Sequence, residues 1–176
     1  MSLKFNKHQI ERFSRQIILK DIGTLGQNKI IKSRVLIIGM GGLGCPVAEF
    51  LTRAGVGFIG IIDSDKVDLS NIHRQSLYDI NDLKKSKVVA AKKKLKKINS
   101  KIKISSHKIR LNKNNCSRII KNYDYIIDGS DNFETKFLIN DFCKASMKFL
   151  VAGAISKFNG HIFTFDFKNK KTPCIR

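Results

Sequence analysis

The stretch SRVLIIGMGGLGCPVAEFL, residues 33–51, leaves this chain few folds to choose from. A short β-branched run ends in glycine, and apolar residues at helical spacing follow it: Leu43, Val47, Phe50 and Leu51. Between them Gly39, Gly41 and Gly44 hold the G-x-G-x-x-G spacing, with Gly42 inside it. Pro46 is tolerated only in the first turn of the helix read over 43–54. FIGIID, residues 58–63, is a second strand, so residues 33–63 form one βαβ unit with the glycines at its first turn. Such a turn offers bare backbone N–H groups and a helix N-terminus to phosphate. The same spacing serves a nicotinamide or flavin dinucleotide, another nucleotide, or a tight packing turn, so the loop alone does not choose.

The rest of the chain repeats the alternation. Residues 7–19 carry Ile10, Phe13, Ile17 and Ile18 on one side of an amphipathic helix. Residues 64–83 show no strong period and read as a long loop with room for a helical turn. A helix is expected over 84–98, a strand at KIKIS (101–105), and a helix over 111–120. YDYIIDGSDN (123–132) gives a strand and a polar turn, 133–147 a further helix, and FLVAG and HIFTFDF the closing strands. Strands alternating with helices imply an α/β, Rossmann-like, doubly wound, mainly parallel sheet with helices on both faces. Residues 1–176 read as a single domain, with 1–32 as an N-terminal helical segment.

Charge and cysteine usage limit the function classes. The chain has 34 Lys plus Arg against 14 Asp plus Glu, a net charge of +20. The lysines read as enriched throughout, as in proteins of AT-rich genomes, with few aromatics among them. Nucleic acid is therefore not expected as a partner, and an acidic partner remains open. Cys45, Cys116, Cys143 and Cys174 show no Cys-x-x-Cys spacing, which fits reduced thiols. The N-terminus is too polar for a secretory signal and the apolar stretches too interrupted to span a membrane, so a cytoplasmic protein with no membrane partner is expected.

Other residues separate the readings of the glycine loop. Asp63 ends the second strand 24 positions after Gly39, where a carboxylate accepts hydrogen bonds from ribose hydroxyls; loop capping is the alternative. The loop DKVDLSNIHRQ carries Asn71 and Arg74, and Lys87 opens the next helix. Arg and Lys there would neutralise a triphosphate and the charge that develops when phosphorus is attacked, for which hydride transfer has little need. Taken alone, Lys87 reads as a solvated helix lysine. Asp131 of DGSDN lies just past the fourth strand. A carboxylate facing phosphates requires a cation between them, which implies Mg²⁺. Asp128 and Asp131 could instead cap the following helix.

RFSRQIIL, GQNKIIKSRVLIIGMGGLG, RAGVGFIGIIDSDKVDLSNIHRQ and DGSDNFETKFLIND together closely resemble the ThiF/MoeB/HesA family, the bacterial relatives of ubiquitin-activating E1 enzymes. The resemblance runs from about residue 11 to 174. It implies an adenylyltransferase that uses ATP and Mg²⁺ to activate the C-terminal glycine of a ubiquitin-like sulfur carrier protein of the MoaD or ThiS type. The carboxylate attacks the α-phosphate and pyrophosphate leaves. It also implies roles: Gly39, Gly41, Gly42 and Gly44 for the nucleotide loop, Asp63 for ribose, and Asn71, Arg74 and Lys87 for phosphates. Asp131 would be the essential acid associated with Mg²⁺, and Arg15, by itself a solvated helix residue, an arginine supplied across a homodimer to the partner's ATP. Family members continue beyond a PCxxC pair that helps to hold zinc. Here Cys174 is the first cysteine of such a pair, an orphaned ligand position, so the C-terminal part of the family domain is expected to be missing and zinc is not expected on this chain. A truncated or degenerate member that binds ATP or dimerises without adenylating a carrier is the alternative. His73 stands where the family commonly has Gln, and Lys84 and Ser86 replace a glycine and a frequent proline.

Overall fold

The computed structural model describes residues 5–169 and 171–175. In chain order they form α1 (Lys7–Ile17), α2 (Gly23–Lys32), β1 (Arg34–Ile38), α3 (Gly44–Ala54), β2 (Phe58–Ile62), α4 (Lys87–Ile98), β3 (Lys103–His107), α5 (Lys113–Ile120), β4 (Tyr125–Asp128), α6 (Phe133–Ala145), β5 (Phe149–Ser156) and β6 (Asn159–Asp166). One six-stranded sheet runs in the order β3-β2-β1-β4-β5-β6. All pairings are parallel except that of β5 with β6, an antiparallel hairpin.

The central strands are apolar between their ends because both faces are covered. Along β1, Val35 and Ile37 point to one side and Leu36 and Ile38 to the other, as the two-residue period demands. The first side packs with Ile59 and Ile61 against Ala48 of α3 and Ala91 and Leu95 of α4. On the second, Leu36, Ile126 and Leu150 meet Ile120 of α5 and Ile139 and Cys143 of α6. Each fully buried Leu or Ile contributes about 1.5–3 kcal/mol, enough that these two layers hold the sheet.

The N-terminal segment is a helical hairpin; its first four residues lie outside the described ones. Asn6 and Gln9 form a reciprocal capping box that starts α1. The amides of Gln16 and Gln27 both donate to the Ala54 carbonyl, at 3.2 and 3.0 Å. Arg12 donates to the Ile98 carbonyl at 2.8 Å. The hairpin is thereby fixed to the C-terminal ends of α3 and α4, at the amino end of the sheet.

Several boundaries differ from the sequence expectation. β3 starts at Lys103 rather than residue 101, because its register with β2 opens on the pair Phe58 and Lys103. The loop over 64–83 contains two short 3₁₀ turns, Leu69–Asn71 and Ile80–Asp82, and folds back so that Lys66 bridges Ser86. Lys94 of α4 pairs with both Asp79 and Asp82 and pins the second turn. α4 begins at Lys87, not residue 84, because Lys84 has φ +64°, a left-handed conformation that ends any helical run. Glycine adopts that conformation freely. Lys84→Gly therefore raises stability by up to about 1 kcal/mol after its own chain-entropy cost, a Tm increase of about 2–4 °C in thermal unfolding. A lower Tm would show that Lys84 is not strained. Among the described residues no helix is long and apolar enough to cross a membrane.

Candidate nucleotide site

Between β1 and β4 the chain reverses the direction in which it adds strands, so a crevice opens at their carboxyl ends. The glycine loop and DGSDN face each other across it. Gly39 has φ +87°, and a Cβ there would lie 2.8 Å from the Gly129 carbonyl oxygen. At Gly44 a Cβ would sit 1.8 Å from the Gly39 carbonyl oxygen, so only glycine lets α3 start this close to the loop. The loop is thereby folded onto the first turn of a helix, the geometry that favours phosphate.

Asp63 ties the end of β2 to that loop. One carboxylate oxygen accepts the Met40 N–H at 2.8 Å and the other the Asp65 N–H at 2.8 Å. Arg74 lies across Gly42, its Cγ and Cδ 3.5 Å from where a Cβ would be. Its fork donates to Asn71 Oδ1 at 2.7 Å and to the Ser70 carbonyl at 3.3 Å, so Asn71 aims the guanidinium. Lys87 corrects the solvated reading. Its side chain is 7% exposed, and its Nζ contacts Asp65 Oδ2 at 3.0 Å while the Asp65 carboxylate is largely in solvent. Burial pushes the Cys45 thiol up to about 11, with Lys87 pulling it down and Asp63 pushing it up. Gly39, Gly41, Gly42, Gly44, Asp63, Asn71, Arg74 and Lys87 are gathered on one side of the crevice.

The turn after β4 corrects the capping alternative. The cap of α6 is Asn132, whose side chain accepts the Thr135 N–H at 2.9 Å, and not Asp128 or Asp131. Asp131 is exposed, its nearest hydrogen bond being from Asn132 at 3.4 Å. Asp128 is 1% exposed. It accepts the Ser130 N–H and hydroxyl at 2.9 and 2.6 Å and pairs with Lys136 Nζ at 3.1 Å. Lys136 also donates to the Gly153 carbonyl at 2.7 Å. Sequence reasoning passed over Lys136; its signal is its place within the first helical turn after a strand-terminal aspartate. Gln75 was passed over too. It is 3% exposed, lies beside Gly41, and its Oε1 has no partner among the described residues. Nothing in its one-letter context announces that burial.

Two candidates stand apart. Arg15 is exposed on α1, between Arg12, which holds the end of α4, and Gln16, which holds the far end of α3. The helix has 11 residues, so the far end lies about 16 Å from Gly44. The fold does not bring Arg15 to the glycine loop of its own chain. Cys174 packs near α6, where its sulfur accepts from Lys144 Nζ at 3.5 Å. One thiol does not make a tetrahedral zinc site. Among the described residues no group of three or more His, Cys, Asp or Glu could hold a metal. A single exposed carboxylate does fit Mg²⁺, which takes one or two protein carboxylates and completes its shell with substrate phosphates and water. Cys45, Cys116 and Cys143 are buried, and burial raises all three thiols, Cys116 to about 12, so none offers a thiolate at neutral pH.

Comparison with known proteins identifies the family. The chain is 42% identical over 173 residues to the adenylyltransferase and sulfurtransferase MOCS3 of Culex quinquefasciatus, covering 98% of this chain and 39% of that protein. It is 37% identical over 177 residues to the sulfur carrier protein adenylyltransferase of Thermus thermophilus, covering 99% of this chain and 65% of that one. The chain thus spans from about two fifths to just under two thirds of these curated relatives. The crystal structure of E. coli MccB with MccA-N7isoASN has the same fold, with a TM-score of 0.83 at 24% identity over 97% of this chain and 50% of that one. The ThiF family model matches residues 13–176, glycine loop, Arg74 loop and DGSDN turn included: the chain belongs to the ThiF family.

Proposed function

We propose that the protein activates the C-terminal glycine carboxylate of a ubiquitin-like sulfur carrier of the MoaD or ThiS type by ATP-dependent adenylylation, in the cytoplasm, for molybdopterin or thiamine sulfur transfer. The observation that carries the reading is the gathering, at one crevice, of a glycine loop, a carboxylate tied to it, Arg74 and Lys87, with the Gly129 turn packed against the loop. The attacking carboxylate is already ionised at neutral pH, so no general base is needed. Catalysis is then alignment and electrostatic stabilisation at phosphorus. Asp63 would hold the ribose, the glycine loop the phosphates, and Arg74 and Lys87 the charge that develops on the α-phosphate. Mg²⁺, when bound at Asp131, would neutralise the phosphates.

The same reading makes the protein a homodimer, with Arg15 of each chain serving the other chain's ATP. Its distance from its own glycine loop supports this, as do the large apolar side chains left exposed on α2 and α3, Leu25 and Phe50. Mixing Arg15→Ala protein with Arg74→Ala protein should restore up to about a quarter of the activity through mixed dimers, each holding one intact site. No recovery on mixing would remove Arg15 from the partner's site.

Carrier-dependent ATP–pyrophosphate exchange tests the function. Exchange should appear only when carrier with an intact C-terminal glycine is added. ATP binding without exchange would overturn the proposal in favour of a nucleotide-binding relative.

A further inference from the structure

The folded molecule does not display its positive charge evenly. Residues 83–123 contain 15 of the chain's 34 Lys and Arg and no Asp or Glu. This segment builds α4, β3 and α5, which wrap one edge of the sheet, with β3 as the edge strand. From residue 92 to 103 every exposed residue is lysine, Ser100 apart: Lys92, Lys93, Lys96, Lys97, Lys101 and Lys103. The four in α4 recur at helical spacing on its solvent side, each turn advancing about 5.4 Å. Beyond β3, exposed Lys108, Arg110, Lys113 and Arg118 continue the band. On the α5 side a crevice of about 290 Å³ is lined by Arg34, Phe58, His107, Arg118 and Tyr123. There Arg34 stacks 4.1 Å over the Phe58 ring.

The nearest acids leave this band cationic. Asp79 and Asp82 are taken by Lys94 and Lys85, and Asp124 accepts the Arg34 backbone N–H. Among the described residues Lys92, Lys93, Lys97, Lys101 and Lys103 make no ion pair.

We infer that the α4–β3 edge binds the phosphate backbone of a nucleic acid strand, independently of base sequence. The expectation of no nucleic-acid partner rested on scattered lysines, and the fold gathers them into a line. A backbone of phosphates needs only such a line of cations. An acidic protein is the poorer match, because protein interfaces are depleted in lysine and centre on aromatic or apolar anchors. Between residues 92 and 103 the exposed surface offers none.

Binding of a labelled single-stranded RNA, followed by fluorescence anisotropy across a salt series, tests this. If five lysines engage, log Kd should change with log salt with a slope of magnitude about 3.5. Lys93→Glu/Lys97→Glu/Lys101→Glu should weaken binding by about tenfold or more and flatten the slope. The control Lys20→Glu/Lys29→Glu/Lys168→Glu carries the same net charge and should lose markedly less. Should the reversal variant fail to fold, Lys92→Gln/Lys93→Gln/Lys97→Gln should still flatten the slope. Equal losses in edge and control variants would overturn the proposal, since net charge alone would then explain binding. So would tighter binding to polyglutamate or to phosphatidylserine vesicles than to RNA.

Discussion

Asp131→Ala should abolish carrier-dependent ATP–pyrophosphate exchange and leave the fold intact. Asp131 is exposed, and its nearest hydrogen bond is a long one from the neighbouring Asn132 side chain. Truncation therefore removes almost no structural interaction, and thermal unfolding should be unchanged within about 0.5 kcal/mol. The chemical loss is large for a different reason. On the proposed reading Asp131 faces the phosphates and brings the cation that neutralises them. Removing a comparable electrostatic contact elsewhere costs about 10²–10³ in rate, and here the cation's whole charge goes with it. Asp131→Asn should be nearly as inactive, since it keeps the shape but not the charge. Wild-type exchange in either variant would take Asp131 out of the reaction.

Lys136→Met has the largest expected effect on stability. Lys136 is 11% exposed and Asp128 1%, at a contact of 3.1 Å, so the variant leaves a carboxylate buried without its cation. Breaking such a pair from one side costs about 3–5 kcal/mol. For a chain of this size that is a fall of the order of 10 °C in Tm. The Gly153 carbonyl loses a donor as well, which loosens β5 against the β4–α6 turn. Lys136→Arg should recover most of the stability. Adding Asp128→Asn to Lys136→Met should recover part of it, because the stranded charge is gone. Two-state unfolding of the wild type, Lys136→Met, Asp128→Asn and the double variant closes this cycle. If Lys136→Met is as stable as the wild type, or the double variant is no better than the single one, the pair does not hold the turn.

What the sequence made legible follows from period and spacing. The apolar runs at 35–38 and 58–62 read as buried parallel strands, and the glycines between strand and helix as a tight turn open to a nucleotide. Element starts were less legible because they depend on partners. α4 waits for Lys87 because Lys84 sits left-handed where the loop closes, and β3 waits for its register with Phe58. Among site residues, Asp63, Asn71 and Arg74 announced themselves by their place in a motif. Lys87 did not, since burial and pairing with Asp65 come from a loop that folds back over 20 residues. Lys136 and Gln75 were invisible for the same reason: only the fold places one beneath the DGSDN turn and the other beside Gly41. The charge of 83–123 was countable in the sequence, but its alignment along one edge required the sheet order.

Adenylylation is defined by which phosphate of ATP is attacked. Incubation of the protein and a glycine-terminated sulfur carrier with ATP labelled at the α-phosphate should place label on the carrier, with unlabelled pyrophosphate released. ATP labelled at the γ-phosphate should place none there. Label from the γ-phosphate on the carrier, or release of ADP and phosphate in place of pyrophosphate, would contradict adenylylation.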